Sequence, residues 1–199
     1  MTFRTGLRLA AGLLAALQAS TVAAEGLVPG FMDATYIDAQ ARDSAAEADG
    51  LAIDLRHALD ERWFLRAGGS LATSDAEFEV IADSSSANLG LGARHAVGAA
   101  TDLQFVARLE YARVEVTGLG QRVVDEDLGY SLQAGLRTML LPNIEAGLDA
   151  TWLAVMDEQN ASAGVYAVAY LTKLLGVQLR YDAADDVDTY SIGLRWAWR

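Results

Sequence analysis

Residues 189–198 read TYSIGLRWAW. Tyr190, Ile192, Leu194, Trp196 and Trp198 stand two apart, with Ser191, Gly193 and Arg195 between them. A period of two is that of a β-strand with one apolar and one polar face, whereas a helix would place its apolar residues three and four apart. Working back along the chain, the same period recurs. Leu51, Ile53 and Leu55 alternate with Asp54 and Arg56, and Leu103, Phe105, Ala107, Leu109 and Tyr111 with Gln104, Arg108 and Glu110. Tyr130, Leu132, Ala134 and Leu136 alternate with Ser131, Gln133 and Arg137, and Ile144, Ala146, Leu148, Ala150 and Trp152 with Glu145 and Asp149. Val177, Leu179 and Tyr181 alternate with Gln178, Arg180 and Asp182. The fold is all-β.

With the fainter runs added, the pattern predicts about ten strands, near 35–42, 50–58, 62–72, 87–96, 102–116, 128–139, 144–155, 162–171, 176–183 and 189–198. The first and eighth distinguish their two faces poorly, so losing or fusing a pair leaves eight as the alternative. Connections at 59–61, 98–101, 141–143 and 172–175 are short. Those at 43–49, 73–86, 117–127, 156–161 and 184–188 are mostly longer or more acidic. Short turns at one end and larger loops at the other describe a membrane-spanning meander, and an even count returns both termini to the short-turn, periplasmic side.

The first residues stand apart from this pattern. Arg4 and Arg8 precede an apolar stretch from Leu9 to Leu17, and Val22-Ala23-Ala24 offers small residues for a signal peptidase. The stretch is shorter than the ~20 residues a spanning helix needs. Residues 1–24 are therefore expected to be a cleaved signal peptide, with 25–199 as the barrel domain. The chain's formal charge of −12 becomes −14 without those two arginines, a balance that argues against nucleic-acid binding. There is no Cys, so neither a disulfide framework nor thiolate chemistry is available.

A soluble barrel would alternate too, with its apolar face turned inward. The residues on the polar face decide otherwise. Arg56, Arg66, Arg94, Arg108, Arg137, Arg180 and Arg195 share it with Gly68, Ser70, Gly90, Gly92, Gly135, Gly147 and Gly193. Solvent gives no reason to set glycine beside arginine, but a narrow lumen does, because long side chains need empty space opposite. Buried cations need partners, and Asp54, Glu110, Glu145, Asp149 and Asp182 fall on the same face. Lys173 is the sole lysine, so cations are almost all of the kind suited to crowded ion-pair networks. The apolar face carries its aromatics near strand ends. Tyr111, Tyr130, Trp152, Tyr181 and Tyr190 fall toward the outer rim, and Trp63, Trp196 and Trp198 toward the inner one, as two interfacial belts.

The last strand also resembles the assembly signal of Gram-negative outer-membrane proteins, with Ser191, Gly193, Trp196 and Trp198 in its four defined places; Arg199 extends one residue beyond the usual aromatic end. Over nearly all of its expected mature length the chain resembles the small outer-membrane barrels of the OmpX and OmpA-membrane-domain type. That resemblance implies residence in the bacterial outer membrane, contact with membrane lipids and lipopolysaccharide, and insertion by the barrel-assembly machinery through the last strand.

No catalytic site, cofactor or metal is expected. His57 and His95, the only histidines, fall at periplasmic strand ends on the lipid-facing parity, where no Ser or Asp completes a triad. Asp182, Asp185, Asp186 and Asp188, like Asp125, Glu126 and Asp127, offer hard oxygen ligands, but their spacing fits no EF-hand loop, and solvated acidic loops are the expectation. In the longest loop, 73–86, Phe78, Val80 and Ile81 alternate with Glu77 and Glu79; two strands continuing above the membrane would give a candidate partner site by strand addition. The leading functional reading is a non-enzymatic barrel, structural or surface-interacting, with an Arg–carboxylate network filling its lumen. The alternative is a narrow channel for small solutes or ions.

Overall fold

Ten strands follow one another as β1 (Gly30–Ala41), β2 (Glu47–Ala58), β3 (Trp63–Ala76), β4 (Val80–Ala96), β5 (Thr101–Gly118), β6 (Gln121–Leu141), β7 (Ile144–Val155), β8 (Glu158–Tyr170), β9 (Leu175–Ala184) and β10 (Val187–Trp198). Each pairs antiparallel with its chain neighbours, and β1 closes on β10 from Gly30↔Trp198 to Ala41↔Val187, which makes a closed barrel. The computed structural model describes residues 27–42, 46–76, 80–118, 121–155 and 158–198, and at 75, 76, 80 and 158 the backbone alone. The expected signal peptide, 1–24, lies outside the described residues, as do Glu77, Phe78, Glu79 and Arg199.

The eight-strand alternative is overturned. Both faint strands are complete: β1 begins five residues before the expected 35, and β8 four before the expected 162. Their faintness has a physical cause. β8 turns Tyr166, Val168 and Tyr170 inward and Val165 and Ala167 outward, so both faces are apolar. In β1, Phe31 and Ile37 line the lumen beside Asp33 and Thr35, which blurs the contrast in the same way.

The expected long loops are largely strand. Residues 80–86 belong to β4 and 121–127 to β6, so the 73–86 and 117–127 connections are tall hairpins. Alternation reports a difference between two environments. Above the hydrocarbon both faces meet water, the alternation fades, and backbone pairing continues without it. At the opposite end the turns are short, as expected, and locally stapled. The Asp60 carboxylate accepts the Arg62 and Trp63 N–H groups, each at 2.7 Å. The Thr172 hydroxyl oxygen accepts those of Leu174 and Leu175 at 3.2 and 2.9 Å.

The surface is inverted relative to a soluble protein. Leu109, Leu128 and Leu71 are 70, 74 and 66% exposed, while Arg56, Arg137 and Arg195 on the other parity are 2% exposed or less. Closure removes every sheet edge within the span, so the backbone is satisfied without water, as hydrocarbon demands.

Candidate functional site

The lumen holds two tiers of charge. In the upper tier Arg66, from β3, grips Asp54 of β2 through Nε at 2.9 Å and Nη2 at 2.6 Å, and its Nη1 donates to Gln133 Oε1 on β6 at 2.5 Å. Arg108 of β5 donates to the same Gln133 oxygen. The Gln133 amide donates onward to Asp149 of β7 at 2.8 Å. Asp149 then accepts two bonds from Arg180 of β9, each 2.9 Å, and Arg180 also clasps Asp182 at 2.5 and 2.6 Å. A continuous polar chain thus crosses the lumen from β2 to β9, with Gln133 as its hub. Glu110 stands to one side, 3.7 Å from Arg108 and bonded by the Ser131 hydroxyl at 2.5 Å.

The lower tier is drier. Glu145 is 0% exposed and accepts from Arg137 (2.8 and 2.7 Å), Arg195 (2.6 Å) and the hydroxyls of Tyr166 (3.2 Å) and Tyr170 (2.9 Å). Arg195 also holds Asp33 through two bonds of 2.7 Å and donates to Gln178 at 2.9 Å. Removing one partner from such an arrangement leaves an uncompensated buried charge, at a cost of about 3–5 kcal/mol. Beneath this tier, Val28, Phe31, Val168, Tyr170 and Ala197 form an apolar cluster, with Met139 and Tyr166 against it. Val28 precedes β1, and its carbonyl accepts the remaining Arg137 Nη1 at 2.9 Å, so residues leading into β1 are tucked into the short-turn mouth. Above the floor, a cavity of about 280 Å³ is bounded by Arg66, Arg180, Thr35, Ser70, Ser86 and Ser191 among others.

Two of the arginines expected in the network stand apart from it. Arg94 sits at the short-turn rim, where Nε donates to the Glu61 carbonyl at 2.6 Å and Nη1 lies 3.6 Å from Asp102. Arg56 is 1% exposed and has no hydrogen-bond partner on any guanidinium nitrogen; its cation lies 3.8 Å above the Phe64 ring. Gly92 makes room for that ring, because a Cβ there would overlap it. Sequence reasoning missed Asp33, Gln133, Gln178, Tyr166 and Tyr170 as members. Asp33 fell outside the strand predicted from 35, and the tyrosines lie on β8, whose two faces look alike. Gln133 shares the parity of Arg137 and was visible there, but a neutral amide carries no charge to flag it.

On the outer face Tyr130 and Trp152 meet edge to face at 5.4 Å, and Tyr181 and Tyr190 lie 5.1 Å apart. Tyr111 donates to Glu126 at 3.1 Å. Trp63 and Trp196 are exposed near the short turns, whereas Trp198 is half-buried, its indole laid over Gly30. Tyr36, also exposed and facing outward, joins the upper aromatics although its strand was predicted too faintly to count it. In the final strand Ser191 and Gly193 face inward, with Trp196 on the outside. His57 and His95 are exposed beside the short turns. Above Tyr181, Asp188 accepts from Arg42 at 2.6 and 3.1 Å and from the Tyr181 hydroxyl at 2.7 Å; these partners hold its carboxyl down to about 2. Among the described residues no three His, Asp or Glu side chains are grouped to hold a metal ion.

No family model matches the chain, and no curated protein does. Among solved structures it is similar to the translocator domain of the autotransporter NalP from Neisseria meningitidis, at a TM-score of 0.52 and 11% identity over 98% of this chain and 95% of that one. It is also similar to the β-domain of the Bordetella autotransporter Brka, at a TM-score of 0.52 and 14% identity over 86% of this chain and 100% of that one. At these identities the likeness is one of fold. The chain has the fold of a bacterial outer-membrane β-barrel.

Proposed function

We propose that this barrel is a closed, non-catalytic element of the outer membrane, structural or surface-interacting, whose lumen is occupied by its own side chains. One observation carries the reading. The short-turn mouth is stopped by the apolar cluster of Val28, Phe31, Val168, Tyr170 and Ala197, with the dry Arg137–Glu145–Arg195 tier directly above it. An ion entering from the long-hairpin end would have to shed its water, displace a fully paired carboxylate and then cross hydrocarbon side chains. Both histidines are exposed on the outer face by the short turns, so no imidazole is offered to a substrate bound in the lumen, and the carboxylates there are held by arginines.

The exposed leucines and the paired aromatic rings support contact with membrane lipids and, at the long-hairpin rim, lipopolysaccharide. Ser191, Gly193, Trp196 and Trp198 are the residues by which the barrel-assembly machinery would select β10. Planar-bilayer recording on the refolded protein tests closure: the expected trace is silent, and steady single-channel steps would overturn it in favour of a narrow channel. The cavity, whose lining runs from Phe31 and Arg137 up past Arg66 to Asp182, is the feature that a channel reading would rest on.

A further inference from the structure

The β5–β6 hairpin stands above its neighbours. β6 is 21 residues long and β7 only 12. The β6 ladder with β7 begins at Tyr130↔Ala154, while its ladder with β5 continues to Gly118↔Gln121. Among the described residues, Gln121–Glu126 are therefore paired along one side alone. Every residue from 121 to 128 is exposed, so water reaches both faces of the projecting sheet as well as this margin. In the 73–86 ribbon, which the sequence suggests for strand addition, residues 73–75 and 81–86 are paired on both sides: β2 reaches it at Glu47↔Asp75 and β5 at Ile81↔Thr117. A shorter margin exists on β8, whose pairing with β9 begins at Ser162.

The margin at 121–126 is held straight and left open. Arg122 binds Glu115 at 2.6 Å, Arg113 binds Glu115 at 3.3 Å and Glu126 at 3.2 Å, and the β5–β6 register has no shift. Natural edges are usually blunted by lysine, proline or a bulge. This one has none of those three; its charges are Arg122, Asp125 and Glu126, and between them Val123 and Val124 carry none. In an antiparallel edge every second residue turns its N–H and C=O outward, so six residues present about three such pairs in line. Their complement is another extended backbone. Charge selects which one. The margin sums to −1 (Arg122 against Asp125 and Glu126) and the whole chain to −12, which repels a second copy and attracts a cationic segment.

We propose that the free edge of β6, Gln121–Glu126, binds an extended, lysine- or arginine-bearing segment of a partner protein as an added strand. The inference rests on the barrel reading only in placing the long hairpins outside the cell. Its test uses the full barrel refolded in detergent and a fluorescent, end-blocked octapeptide of alternating Val and Lys, followed by anisotropy. Saturable binding that weakens with salt is expected. Methylating alternate peptide nitrogens should cost at least about tenfold in affinity, because it removes the inter-strand bonds and keeps the charge. Exchanging the peptide's lysines for glutamates should abolish binding. Of Val123→Pro and Val124→Pro, the variant that loses the outward N–H should bind at least about tenfold more weakly with β5 amide protection unchanged. No saturable binding, equal binding of the methylated peptide, or undiminished binding by both proline variants would each overturn the proposal. Conductance is read separately, so an open pore would sink the closed-barrel reading and leave this one standing.

Discussion

Arg56 and Glu145 mark the two extremes of burying charge in a lumen. Glu145 is served by two arginines and two tyrosines, whereas Arg56 rests on Phe64 with no acid beside it. Glu145→Gln leaves Arg137 without a carboxylate and should lower unfolding stability in urea by about 3–5 kcal/mol. Arg56→Met removes an uncompensated cation, keeps most of its volume, and should change stability by less than about 1 kcal/mol or raise it. Equal losses from the two variants would show that pairing does not decide these costs. Asp188 provides a residue-scale pH dependence above the membrane. Its carboxyl is depressed to about 2 by Arg42 and Tyr181, below its ordinary 3.8, so the tie it makes between β1 and the β9–β10 hairpin is complete above pH 4. That tie should be lost as pH falls from there toward 2. Amide protection at Ala41 and Val187, taken relative to the intrinsic exchange rate at each pH, should fall over that window, and Asp188→Asn should lower it at neutral pH and flatten the response. Parity in the sequence set Arg66, Arg137, Arg195, Glu145 and Asp149 on one polar face, but it left out Asp33. Their partners were not legible, because Arg66 and Gln133 are 67 residues apart and meet only once the barrel closes.

At the scale of elements, the two kinds of connection have different causes. A short turn such as that after β2 is closed by one side chain accepting two backbone N–H groups. Asp60→Ala should therefore lower the unfolding midpoint, and Asp60→Asn, which keeps an acceptor oxygen, should lower it less. Urea titrations of the two variants check this, and indistinguishable midpoints would count against the turn's contribution. The tall hairpins depend instead on backbone pairing with neighbours, which is why their strands ran past their predicted ends. Period-two alternation locates the part of a strand that separates lumen from lipid. It cannot locate residues 80–86 or 121–127, where both faces meet water. β1 and β8 failed as clear signals for the opposite reason: their inward faces build the apolar floor, so neither face is distinctly polar.

For the whole molecule, closure is a joint property of the floor and the tiers above it. Deleting Leu27–Pro29 together with Phe31→Ala and Tyr170→Ala should open the short-turn mouth and give conductance in bilayers where the parent protein is silent. A silent triple variant that still folds would show that the charge tiers alone block the lumen. Orientation of the wall has its own check in this Cys-free chain. Leu132→Cys should react with a membrane-soluble maleimide and Gln133→Cys should resist it, since Leu132 is exposed on the outside and Gln133 is buried within. The sequence by itself determined the class of fold, the parity of each clear strand and the inside-out sense of the wall. Those follow from neighbouring residues meeting two environments in alternation. The tertiary structure alone decided that ten strands close, that Val28 stops one mouth, which acid each arginine meets and where β6 is left unpaired. Such facts depend on register and relative strand height, which bring together residues far apart along the chain and leave no local periodic mark.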